Sequence, residues 1–356
     1  MEAQLMGSSQ RDHRYPIYDS TFNLHRLSPI FTGALPLTNA SMVHHAKQFQ
    51  DILAGDVIRG VRLDHTGRVE VNDRAGPLLE VTWKVLPEPE NWNPKKLNNG
   101  QDLLQAIATG RGMIVTITYT EMEYYAIMLR SANHSQDRRA ESSNEIGNFE
   151  YLPLLLTRMP NALRQAFREY LESNFDCRVS SQLLVLDKNY MFAALETYLS
   201  DLVSPLDNST TDDRTNSSIL KGAIRDVLVT LAPTFITLPD RPDRPHGIGK
   251  CDIKIVKEDV PRFVEVGRRR SWTPHEVANF ETPFFRAFAY YCYDHLALDI
   301  AHETVSIERI ACSAFVLGQG RLKLTDVIDD ERQARASRRL LDNLVDLAAR
   351  SPIVST

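Results

Sequence analysis

The residues of this 356-residue chain that could do chemistry are a few glycine-rich triplets, ten histidines, four cysteines and scattered acidic pairs. A dinucleotide-binding turn needs three glycines in a G-x-G-x-x-G arrangement between a strand and a helix, so that the pyrophosphate can approach the backbone. Gly110-Arg111-Gly112 and Gly318-Gln319-Gly320 lack the third glycine, and Gly247-Ile248-Gly249-Lys250 lacks both the spacing and the hydroxyl of a phosphate-binding loop. All three read as turns. His302-Glu303 is not followed by the second histidine of a zinc protease, and His44-His45 has no cysteine or carboxylate nearby in sequence. These histidines read as structural or surface groups. Asp212-Asp213 falls in a polar stretch and Asp329-Asp330 at a helix start, where negative charge is solvated or complements the helix dipole. With no nucleophile elbow, kinase set or deaminase signature, the expectation is a chain with no catalytic residues, no cofactor and no metal.

Cys177, Cys251, Cys292 and Cys312 are 74, 41 and 20 residues apart, which fits no zinc spacing and predicts reduced, buried thiols. The segment MEAQLMGSSQRDHRYP has no apolar stretch of the secretory kind, and no run reaches the roughly 18 apolar residues of a membrane span. The expectation is therefore cytoplasm or nucleus. A net charge of −5 argues against a surface built throughout to coat nucleic acid.

One stretch departs from that balance. Between Arg241 and Arg270 lie nine basic and five acidic residues, a local net of +4 against −9 elsewhere. Lys250, Lys254, Lys257, Arg262 and the triplet Arg268-Arg269-Arg270 are the candidate phosphate contacts, because several guanidinium groups on one loop can hold a nucleic-acid backbone without reading bases. The alternative is a solvated loop and an ordinary strand exterior.

The elements that would position these groups can be read from periodicity. Phe22 to Phe31 reads as an extended segment interrupted at Pro29, and Val43, Phe49, Ile52 and Leu53 suggest a helix. From Asp56 the near two-residue alternation predicts an antiparallel meander through VIRGVRLDH, RVEV and LLEVTWKV, then two strands in MIVTITYTEMEYYAIMLR. A short helix is expected over Asp102 to Ala108 and a loop over 131–148. Two helices follow, with Leu163, Phe167, Tyr170 and Leu171 on one stripe and Met191, Leu195, Tyr198, Leu199 and Leu202 on the other. Further on, AIRDVLVTLA, CDIKIVK, VSIERIACSAFVL and RLKL read as strands, Thr282-Pro283 opens a helix, and a charged amphipathic helix closes the chain. The expected fold class is α+β: two domains of curved, mainly antiparallel sheet with packed helices. The expected division is a leader over 1–15, a first domain over 16–203, a polar linker over 204–218, a second domain over 219–329, and a helix and tail over 330–356.

Several ordered phrases carry a likeness to a known family: TFNLHRLSPIF within Tyr18–Gly33, YLPLLLTRMPNALRQAF with FDCRVSS just after it, CDIKIVKEDVPRF, and SIERIACSAFVLGQGRLKL. Together they resemble the CENP-L family of inner-kinetochore subunits in its fungal form. The resemblance implies a non-enzymatic scaffold of the constitutive centromere-associated network, in the nucleus at the centromere and kinetochore. Such a subunit pairs with a CENP-N-like protein, joins other inner-kinetochore subunits, and helps link the centromeric nucleosome and its DNA to the kinetochore in chromosome segregation; no membrane is involved. It also implies pairing through carboxy-terminal sheet surface, which makes Val305, Ile307, Ile310, Ala311, Ala314, Val316, Leu322 and Leu324 the candidate interface. Val305 to Leu317 could serve as an edge strand that adds to a partner's sheet, or could be central and buried. The alternative function is sequence-nonspecific DNA binding through the basic loop.

Overall fold

The structure is a computed structural model that describes residues 14–33, 37–58, 75–89, 92, 110–131, 149–205, 213–233, 249–269, 282–326 and 330–351. It is a mixed fold with seven helices and antiparallel sheet among the described residues, as the α+β expectation has it. Chain contacts divide it into two units: Met1–Tyr18, Phe22–Leu184 and Leu344–Thr356 form the first, and Asp19–Thr21 and Val185–Asn343 the second.

In the first unit the strands β1 (Thr21–Arg26, of which Phe22 onward belongs to this unit), β3 (Leu78–Leu86), β4 (Gly112–Tyr119), β5 (Glu123–Leu129) and β7 (Leu154–Arg158) run in the order β3-β4-β5-β7-β1, each antiparallel to its neighbour. The short strands β2 (Ile30–Phe31) and β6 (Phe149–Glu150) pair separately. Helix α1 (Asn39–Ile58) packs on β3, and helix α2 (Asn161–Phe175) buries its predicted stripe of Leu163, Phe167, Tyr170 and Leu171. Phe49, Trp83, Phe167, Tyr170 and Phe175 meet in one aromatic cluster with ring centroids 5.0–6.5 Å apart, geometry in which edges and faces attract. His45 belongs to it: its ring lies 4.6 Å from Phe175 and its Nδ1 is 2.9 Å from the Tyr170 hydroxyl. His45 is therefore a half-buried structural residue packed on the aromatic core, and burial lowers its pKa.

The stretch from Asp56 was expected to begin a strand, but residues 56–58 are the last turn of α1, which continues its apolar spacing past Leu53. The rest of that meander up to residue 74, the helix over Asp102 to Ala108 and the loop from 132 to 148 lie outside the described residues.

The second unit carries β8 (Val227–Pro233), β9 (Cys251–Ile255), β10 (Val305–Ala311), β11 (Phe315–Gly318) and β12 (Arg321–Leu324) in the order β12-β11-β10-β8-β9. The register shows why this sequence makes a two-faced sheet. Leu322, Leu317, Ile310, Val229 and Ile253 stand in one cross-strand row, and all are buried. The adjacent row is Lys323, Val316, Ala311, Leu228 and Lys254: exposed lysines at its ends and half-buried small or apolar residues between them. The first row faces the helices, where Tyr198 of α3 (Lys188–Val203) meets Phe315 at 5.0 Å. The second row is the open face.

Around this sheet lie α4 (Asp213–Ala223), α5 (Val260–Arg269) and α6 (Pro283–Leu296). The contact division falls at Leu184–Val185, upstream of the polar stretch at 204–218 that sequence marks as a linker, and residues 213–218 of that stretch are helical. Asn216, Ser217 and Ser218 sit on a helix whose Leu220 and Ala223 are buried, so polarity here marks an amphipathic face. The final helix α7 (Glu331–Arg350) buries Leu340, Leu341, Leu344 and Ala348 as its periodicity predicts. In α6, Phe284, Phe285, Phe288 and Cys292 are buried, whereas Tyr291 and Leu296 are exposed.

Candidate functional site

The eight residues proposed as a partner interface separate into two groups. Val305, Ile307, Ile310, Ala314, Leu322 and Leu324 are buried, and only Ala311 and Val316 are half-buried, both in the open row. Of the two alternatives for Val305 to Leu317, the strand order favours the central one: β10 pairs with β8 along its length and with β11 at Ile310 and Ala311, so it lies inside the sheet and not at its edge. Its outward residues follow the pleat, and the shift of register between Ile307 and Arg309 lets both Glu308 and Arg309 turn out of the core.

The basic strip is distributed over β9, the turn after it, and α5. Among its described residues every cation but Arg268 has a carboxylate within 4 Å. Lys250 pairs with Glu308 at 2.6 Å, Lys254 with Asp226 at 2.8 Å, Lys257 with Glu258 at 3.9 Å, Arg262 with Asp259 at 3.2 Å and Arg269 with Glu265 at 2.8 Å. The Lys254 ammonium, by its hydrogen bond, holds the Asp226 carboxyl below the usual range. Such exposed pairs contribute at most about 1 kcal/mol and exchange partners readily, so they permit a phosphate contact but leave little net field to attract one. Arg270 lies outside the described residues. The solvated-exterior reading of the strip is thus favoured for the described lysines.

Arg268 forms no ion pair among the described residues, and with Arg262 and Arg269 it lines a cavity. The space, about 530 Å³, is walled by α3 (Glu196, Leu199, Ser200, Val203), α4 (Asn216, Ser217, Leu220, Lys221), α5 with the residues before it, and Pro283. Leu199, Val203, Leu220, Pro261 and Val264 line part of it with apolar surface, while Lys221, Arg262, Arg268 and Arg269 supply four positive charges against Glu196, Glu258 and Glu265.

Glu196 is the group that organises one wall. The first amides of a helix have no partner within it, and Thr282, the N-cap of α6, makes no side-chain cap bond. The Phe284 N–H instead donates to both oxygens of Glu196, at 3.0 and 3.3 Å. Burial raises the Glu196 pKa to about 7, outweighing the bonds from Phe284, Phe285 and Thr282 and the attraction of Arg268. Asn216 on the opposite wall has a buried Oδ1 that accepts no hydrogen bond.

Sequence reading found Arg262, Arg268 and Arg269 but not Glu196, Asn216 or Lys221. Glu196 follows Leu195 inside an apolar helical stripe, and nothing local signals that α6 starts against it. Among the described residues no group of histidine, cysteine and carboxylate side chains could hold a metal ion, and no helix is long and apolar enough to cross a membrane. The thiols of Cys177 and Cys292 are pushed up to about 12, and that of Cys312 to about 11, chiefly by burial, which keeps them protonated and unreactive.

The family model for centromere protein L, CENP-L, matches residues 16–349, nearly the whole chain. A search of curated proteins gave no significant match.

Proposed function

We propose, from the premise that this chain belongs to the CENP-L family, that it pairs one-to-one with a CENP-N-like protein and helps connect centromeric chromatin to the inner kinetochore. The family is a structural component of the kinetochore, tied to the centromere and to chromosome segregation, and is not a known enzyme family. It implies membership of the inner-kinetochore complex and a nuclear, centromeric location. The observation that carries the proposal is the extent of the family match, 16–349, which takes in both units and every described helix and strand except the last residue of α7.

The surface best suited to the partner is the open face of the second unit's sheet. Its row of Lys323, Val316, Ala311, Leu228 and Lys254 has an apolar centre and a charged rim, the usual anatomy of a non-obligate interface. In the cavity beside α5, Glu196 holds the first amides of α6.

Ala311→Glu places a charge at the centre of the open face without entering the core, and it is expected to weaken a co-expressed complex by at least tenfold while the thermal midpoint of the free chain changes little. Ala314→Glu is expected to act otherwise: Ala314 is 1% exposed, so a carboxylate there disrupts folding itself. Size-exclusion chromatography of the co-expressed pair and thermal melts of each variant check this. A chain that stays monomeric with the CENP-N-like protein at micromolar concentration rejects the pairing; an intact complex with Ala311→Glu rejects the surface alone.

A further inference from the structure

We propose that the cavity between α3, α4 and α5 is a docking site for a phosphorylated serine or threonine side chain of a partner protein. The cavity's size fits one or two residues of a peptide, and its walls divide into an apolar part and a cationic part. The two cations that matter are Lys221 and Arg268. Neither forms an ion pair among the described residues, whereas Arg262 and Arg269 are held by Asp259 and Glu265. Lys221 and Arg268 come from different helices; Arg268 attracts Glu196, but across the cavity four cations face three carboxylates, so an anion between the two helices meets an excess of positive charge. Hydroxyl and amide groups suited to the remaining oxygens stand on the same walls: Ser200, Ser217 and Asn216. The Asn216 Oδ1 is buried and unpartnered, and rotation of the amide presents its two N–H donors to a ligand oxygen at no cost in existing bonds.

A phosphomonoester fits these features better than the other anions. It carries close to two negative charges at neutral pH and three terminal oxygens, enough for two cations and two or three neutral donors, whereas a carboxylate offers two oxygens and one charge. A duplex backbone carries its phosphodiesters on a stiff surface and meets the outward Lys254 and Lys257 more readily than a recess between helices. A single side chain reaches such a recess.

Binding also couples to Glu196, which shares the cavity with Lys221, Glu258, Arg262, Glu265, Arg268 and Arg269. A dianion close to Glu196 favours the protonated carboxyl, so affinity rises as pH falls from 8 towards 6.5.

The test is calorimetric titration of the full-length chain with the blocked tripeptide acetyl-Ala-phosphoserine-Ala-amide. Saturable binding is expected, with a dissociation constant on the order of 1 mM, weakened at least tenfold by the paired substitutions Lys221→Glu and Arg268→Glu, and unchanged by Arg178→Glu in the first unit. The unphosphorylated tripeptide is expected not to bind. Circular dichroism melts establish that the double variant is folded; if it is not, Lys221→Gln alone must still weaken binding. No saturation up to 20 mM overturns the proposal. So does inorganic phosphate binding as tightly as the tripeptide, which marks a plain anion site, or displacement of the tripeptide by duplex DNA, which marks a nucleic-acid surface. The outcome is independent of whether the chain pairs with a CENP-N-like protein.

Discussion

Gly267→Ala is expected to destabilise the second unit by about 3 kcal/mol, the upper end of what overpacking a buried site costs. Local propensity says the reverse. Gly267 lies within helix α5, where alanine is favoured over glycine by about 1 kcal/mol. The tertiary structure overrides that gain, because a Cβ on residue 267 would stand 1.8 Å from the carbonyl oxygen of Pro283, 2.4 Å from its carbon and 2.8 Å from its Cα. These are backbone atoms, and no side-chain rotation relieves the clash. Helices α5 and α6 must separate, pulling apart the contact of Phe263 with Phe284 and Tyr291, whose ring centroids are 5.7 and 5.8 Å away. Urea unfolding of the variant measures the effect, and a variant as stable as the parent or more so shows that the two helices do not meet at Gly267.

The second large effect is in the pH dependence of stability. Glu196 has a folded-state pKa raised from 4.5 to about 7, so the folded protein binds a proton that the unfolded chain has released. Its contribution to stability is fully present below pH 4.5 and is lost as pH rises through 7, a change of at most about 3 kcal/mol. His25 in the first unit works against this trend. It is buried, its Nδ1 lies 3.2 Å from the Ser180 carbonyl oxygen, and burial, aided by Arg164, lowers its pKa to about 4. Its contribution is present above pH 6.5 and lost as pH falls towards 4. The net profile of the parent is thus a compromise between two groups, and the informative quantity is a difference. Glu196→Gln keeps an oxygen to accept the Phe284 N–H but cannot ionise, and His25 is common to both proteins. At pH 8 the variant is expected to be more stable than the parent; at pH 5 the two are expected to be equal, or the parent slightly the more stable. Parallel stability profiles between pH 5 and pH 8 would contradict the buried position of Glu196.

Much of the fold is legible in the sequence for a specific reason. The stripes of α2 and α3 keep their 3.6-residue spacing because each helix buries one face, and the alternation in β8 to β12 survives because their sheet buries one side. What depends on long-range neighbours is not legible. Nothing in Val305–Ala311 reveals that β8, more than seventy residues earlier, fills its second side and removes it as an edge. Nor does SPLDNSTTDDRTNSS reveal that its last part is a helix, since serine and asparagine on a solvent face look the same in a loop. The basic strip illustrates the limit for function: its charges were visible, but Asp226 and Glu308, which neutralise Lys254 and Lys250, come from other strands or turns. The cavity was invisible for the same reason, because Glu196, Lys221 and Arg268 converge only once three helices are in place.

Centromeric function is tested most directly by imaging a fluorescently tagged copy of the full-length chain in dividing cells, together with a marker of the centromeric nucleosome. The family assignment predicts discrete nuclear foci that coincide with the marker through mitosis. A diffuse signal throughout the cell, or foci apart from the marker, would contradict it.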